Sequence, residues 1–232
     1  ESFEERAGAL FFELADLVLR KADSLAGSRQ EQAWLEEALR TIESLRSAEL
    51  DDYLQDQCVR LQRSRAARVE SLPGAAVLYI IPFTNRTELL VGLPGPSRSF
   101  QLKRFAVSVT KADLTNTIAQ LRVSLETRGL WEFLAPAQQL YQWLIAPIVP
   151  TLDAAGIDTL VLVPDGALRT IPAAALHDGQ KFLIERYAVA VSPGLTLMDP
   201  KRMRRRQVSL LLGALSEEAH GTNSGGHYEL AL

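Results

Sequence analysis

Apolar positions in the first 70 residues recur at three- and four-residue steps, the spacing of one face of an α-helix. Ala7, Leu10, Phe11, Leu14, Leu17 and Val18 form one such stripe, and Leu35, Ala38, Leu39, Ile42 and Leu45 form a second. Leu50, Tyr53, Leu54, Cys58 and Leu61 continue the second stripe and predict one long helix. Gly27-Ser28 breaks the pattern between the two, and Ser28 stands where a side chain caps the following helix. No proline precedes Pro73, so nothing interrupts these helices. Residues 1–70 therefore read as a helical region. It is either the end of a helical repeat array of the tetratricopeptide kind or a hairpin packed on the domain that follows.

At Leu72-Pro73-Gly74 the pattern changes to β-rich runs. AVLYIIPF (76–83), a turn at Asn85-Arg86, TELLVGLP (87–94), a turn at Pro94-Gly95-Pro96 and SFQLKRFAVSV predict an antiparallel meander. Two helices follow, at about 111–127 and 131–145, the first capped by Thr110 with Asp113 three residues on. After a helical turn at 152–155, ended by Gly156, come three continuous apolar strands, at 157–164, 187–193 and 208–215. Strands of this kind are buried on both faces, as in a parallel sheet between helix layers. Residues 71–232 are thus expected to be an α/β domain.

Composition narrows the function classes. With 47% hydrophobic and 23% charged residues and a net charge of −3, the chain has no global field drawing it to nucleic acid or an anionic membrane. No apolar run approaches the roughly 18 residues of a membrane span. The acidic amphipathic start is no signal peptide, and both ends are expected to be cuts in a longer chain. One cysteine excludes an intrachain disulfide and fits a reducing, cytoplasmic setting. There is no HExxH, CxxC, GxGxxG or GxxxxGK[ST] spacing, so neither metal nor cofactor is expected. The cluster Lys201, Arg202, Arg204, Arg205 and Arg206 has no aromatic residues interleaved to stack bases and is expected to be a solvated loop.

The strand at 157–164 ends in Pro164-Asp165-Gly166, and ligands of open α/β sheets bind beyond such carboxyl ends. Asp165, Gly166 and Arg169 are therefore candidates for a substrate-binding cleft. The alternative is an ordinary Asp-Gly turn.

The block LVLVPDGALRTIPAAALHDGQKFLIERYAVAVSPGLTLMDP resembles the CHAT domain, a family of caspase-like and separase-like cysteine peptidases associated with tetratricopeptide repeats. AELDDYLQDQCV, LYIIPFTNRTELLVGLPG, APAQQLYQWLIAPI and LLLGALSE extend the resemblance over most of residues 47–218. It implies a caspase-like sheet with helices on both faces, preceded by the meander and the helical region. It also implies cleavage of a protein or peptide substrate, with a regulatory protein partner acting through the helices.

The family's His–Cys dyad is a histidine closing an apolar strand as His-Gly and a cysteine after a later strand. This chain carries neither. His220-Gly221 follows Ser216, Glu217, Glu218 and Ala219, not an apolar strand, and reads as a loop histidine. Cys58 lies on the helical stripe with Leu54 and Leu61 and reads as a core thiol. His177, beside Asp178-Gly179, reads as part of a hairpin turn. No catalytic residue is thus expected within the chain, and the missing strands of the sheet would come from another chain or segment. The competing reading is a non-catalytic binding or scaffold module on a degenerate peptidase fold.

Overall fold

The computed structural model describes residues 8–54, 74–95, 100–127 and 131–195. Ala7, Cys58, Leu61, the basic cluster at 201–206, the expected strand at 208–215 and His220 lie outside the described residues.

Two helices come first, α1 (Ala9–Asp23) and the 26-residue α2 (Arg29–Leu54). Between them Gly27 takes a φ of 78°, a left-handed conformation that suits glycine. The Ser28 hydroxyl accepts from the Glu31 N–H at 3.3 Å, while the Glu31 carboxylate reaches back to the Gly27 N–H at 2.7 Å. This is a capping arrangement in which cap and reaching carboxylate each satisfy a helix-end donor. The meander follows as β1 (Ala75–Pro82), β2 (Thr87–Pro94) and a single third strand, β3 (Phe100–Val107). Then come α3 (Lys111–Glu126), α4 (Leu134–Leu144), α5 (Val149–Ala154), β4 (Thr159–Val163), α6 (Leu183–Arg186) and β5 (Ala188–Val191). Thr110 caps α3 as its position predicts, accepting from the Asp113 N–H at 3.0 Å.

Meander and parallel strands are one open five-stranded sheet, in the order β3-β2-β1-β4-β5. β1 pairs antiparallel with β2 and parallel with β4, matching Tyr79 to Val163, and β4 pairs parallel with β5. β1 is thus the hinge strand on which both halves of the sheet are built.

Side chains alternate between the faces with a period of two. Ala76, Leu78, Ile80, Leu89, Val91, Leu160 and Leu162 point to the face covered by α3, α4 and α5. Val77, Tyr79, Ile81, Leu90, Leu102, Val161 and Val163 point to the face covered by α1 and α2. Helices therefore cover both faces of this mixed α/β sheet.

Two expectations need correction. Of the expected α1 stripe, Leu10, Leu14 and Leu17 face solvent and Phe11 is half-buried, while Val18 is buried as expected, together with Ala15, Leu19 and Ala22. The helix carries apolar residues on two faces. In the observed rotation Asp16 and Asp23 meet Arg86 and Arg104. β5 was also expected to be buried like β4, but it is mostly exposed, with Val191 at 60%. Among the described residues it is the edge of the sheet, with no further strand beside it.

Candidate functional site

Because β1, β4 and β5 run parallel, their carboxyl ends share one side of the molecule. There the chain leaves β4 through Pro164 and Asp165 into a 3-10 turn, Gly166–Thr170. Gly166 has a φ of 50°, which lets the strand swing into the turn. A cleft of about 750 Å³ opens at these ends, lined by Asp165–Leu168 after β4, Pro82–Asn85 after β1, the first turns of α3, one side of α1, and Glu49. Its aromatic wall is Phe12 packed edge-on to Phe83, with centroids 6.1 Å apart. The Lys111 ammonium lies 5.8 Å from the Phe12 ring centre and the Arg86 guanidinium 4.9 Å from that of Phe83, both within cation–π range.

Asp165 and Gly166 line this cleft. Asp165 and Arg169 are brought together through α2, a connection that strand-end reasoning alone does not reveal. The buried Arg46 guanidinium donates to Asp165 at 2.8 Å and to Glu49 at 3.1 Å. Arg169 donates to the same Glu49 at 2.9 Å and lies 4.0 Å from Asp165. Nearby, Glu43 Oε1 accepts from the Tyr79 hydroxyl on β1 and from the Leu195 N–H beyond β5, the latter at 2.9 Å.

Burial alone would lower the Arg46 pKa. The charges of Asp165 and Glu49, with their hydrogen bonds, outweigh that and raise it. Burial, reinforced by the Glu43 charge and hydrogen bond, holds the Tyr79 hydroxyl well above its ordinary pKa. Among the described residues Arg46 keeps one buried nitrogen, Nε, without a hydrogen-bond partner. A signal for these residues does exist in the sequence. Arg46 and Glu49 stand four and seven positions after Ile42, and Glu43 four after Leu39, so all three fall on or beside the apolar stripe of α2.

A second polar lattice joins α1 to the antiparallel half of the sheet. Glu88 on β2 is fully buried and accepts from Arg86 at 2.6 Å and from Arg104 at 2.7 Å. Arg104 also reaches Asp23, and Arg86 reaches Asp16, so the lattice runs from sheet to helix. For Arg104 the Glu88 hydrogen bond is the leading effect and raises its pKa against the opposing effect of burial.

His177 sits in a hairpin turn. Its Nδ1 accepts from the Gly179 N–H at 2.9 Å, and the Asp178 carboxylate accepts from the Gln180 and Lys181 N–H groups. Those backbone donors hold Asp178 below the usual carboxylate range. The imidazole packs edge-on against Phe182, so its place is in the turn and not in the cleft. Among the described residues no group of His, Cys, Asp or Glu side chains is arranged to hold a metal ion. Likewise, none of the described helices is long and apolar enough to cross a membrane.

The family model described as CHAT domain matches residues 134–225, from the start of α4 onward. This bears out the resemblance read from the PDGALR block, while the meander and residues 47–58 stand upstream of the match. No curated protein matches the chain.

Proposed function

From the premise that residues 134–225 match the CHAT domain, we propose that this chain is the front part of a caspase-like cysteine peptidase that cleaves a protein substrate under control of its helical region. In this reading the described residues are the frame of the sheet and one wall of the substrate cleft, with Asp165 and Gly166 lining it and Arg169 in the same turn, tied to Glu49. The His–Cys dyad belongs to strands that continue the sheet past β5. The cysteine thiolate would attack a peptide carbonyl after the histidine takes its proton.

The observation that carries the reading is the cleft at the carboxyl ends of β1 and β4, where an open α/β sheet binds its ligand. The position of β5 at the edge of the sheet among the described residues agrees with it.

The test is made on the full-length gene product. An apolar strand ending His-Gly, then a later strand followed by cysteine, is expected in the gene. Substituting that cysteine with alanine should abolish cleavage of a denatured-protein substrate pool. Absence of either residue, or cleavage that survives the substitution, overturns the reading.

A second reading, a non-catalytic binding module, is favoured by one observation. Leu10, Leu14 and Leu17 make an apolar stripe on α1 that is 49–66% exposed. Co-purification of a stoichiometric protein that is lost on Leu14→Glu, with no cleavage detected, would decide for it.

A further inference from the structure

Glu43, Arg46 and Glu49 follow one another at steps of three along one side of α2. Between them they touch the carboxyl ends of all three parallel strands: β1 through Tyr79, β4 through Asp165, and β5 through Leu195. Arg46 is the centre of the set, with its side chain 3% exposed.

Its contacts are also incomplete. Of the Arg46 nitrogens Nη2 meets Asp165 Oδ1, while Nε, on the same edge of the planar guanidinium, has no hydrogen-bond partner among the described residues. A carboxylate can take both groups of that edge at once. A buried donor left unpaired has free energy to gain from a rearrangement that satisfies it. Asp165, Arg46, Glu49 and Arg169 form one continuous chain of charges from α2 to the 3-10 turn. Arg169 shares Glu49 with Arg46, so both Asp165 and Arg169 of the turn are tied to α2.

We infer that Arg46 is a positioning residue through which α2 sets the conformation of the Asp165–Arg169 turn, so that a displacement of α2 is transmitted to the cleft wall. This rests on the peptidase reading only in calling that wall part of a substrate site; the coupling itself is a property of the described residues. A coupling of this kind works in both directions.

Amide hydrogen exchange on the full chain tests it, comparing the wild type with Arg46→Met, Glu49→Gln and Arg169→Gln. Arg46→Met is expected to speed exchange about tenfold or more at residues 166–170 and at Leu195, with peptides of α3 and α4 unchanged. Glu49→Gln should give the same regional pattern at smaller amplitude, and it serves if Arg46→Met does not fold. Arg169→Gln should in turn speed exchange in α2 around residues 43–49, which a residue serving only its own turn would not do. Faster exchange confined to the substituted element, or spread evenly over both helix layers, overturns the inference. Because no cleavage is measured, a chain that never cuts can still pass, and an active peptidase can still fail.

Discussion

The two faces of the sheet are covered in different ways. Under α3, α4 and α5 the contact is almost wholly apolar, built from Leu114, Ile118, Leu121, Leu140, Leu144, Ile148 and Leu152. Under α1 and α2 the apolar contact of Leu19, Leu35, Ile42, Val77 and Ile81 is threaded by buried charge, with Glu43, Arg46 and Glu88 among the residues shut off from solvent. Apolar burial is non-directional and scales with area, so the first layer is held without being told where to sit to within a turn. Buried ion pairs add little net stability over apolar packing, yet losing one partner is costly. In the second layer charged groups thus add directional contacts, from α1 to Arg86 and Arg104 and from α2 to Tyr79 and Asp165.

The largest effect that would break this comparison is expected from Glu88→Ala. It leaves Arg86 and Arg104, both largely buried, without their shared carboxylate, and removal of one member of such a group costs about 3–5 kcal/mol. Urea unfolding should show that loss, and replacing all three residues with Met and Leu should recover most of it. A cost below about 1 kcal/mol would mean that the two faces do not differ in kind.

On the apolar face, Leu121→Ala should cost about 2–5 kcal/mol by lost burial and cavity formation. Its cost should not vary with salt, and a clear salt dependence would count against a dry apolar layer.

Gly92 comes next. The Phe100 ring lies over it so closely that an added Cβ would meet the ring at 1.7 Å. Gly92→Ala should therefore cost about 1–3 kcal/mol by overpacking and shift the near-ultraviolet spectrum.

A smaller effect, seen only at alkaline pH, belongs to Tyr79. Burial, with Glu43 beside it, raises its folded pKa above the ordinary value of 10.0. The folded state then keeps a proton that the unfolded chain releases. That contribution is whole below about pH 10 and is lost as pH rises through the higher folded value. Thermal melts from pH 8 to 11 should show a decline that Tyr79→Phe reduces.

The smallest effect is expected from Leu14→Gln on the exposed stripe, within about 0.5 kcal/mol of the wild type. A larger loss would place that stripe against something in solution.

Much of the frame could be read from local signals. β1, β2 and β4 are bounded by Gly74, Asn85-Arg86, Pro94 and Pro164, residues that end strands for reasons of backbone geometry. α2 begins just after Ser28, as the capping position predicts. The rotation of α1 could not be read in this way. The helix carries apolar residues on two faces, and its contacts with Arg86 and Arg104 lie far along the chain, where no periodicity encodes them. β5 misled because an apolar run looks the same whether or not a neighbour covers it. At the site, the strand-end rule placed Asp165 and Gly166 on the cleft. The tie from Asp165 and Arg169 to α2 was hidden because Arg46 and Glu49 look like exposed helix charges unless their place on the Ile42 stripe is noticed.

The steps of three that carry Glu43, Arg46 and Glu49 also limit how this protein can change in length. Each residue added to an α-helix turns everything beyond it by about 100°. An insertion or deletion between Ser28 and Glu43 would aim all three side chains away from the strand ends in a single event. The turn at residues 24–28 can absorb such a change, because the cap resets the helix there. Natural length variation in the helical layer should therefore collect at that turn and leave the stretch from Arg29 to Glu49 constant in length, even where its composition drifts.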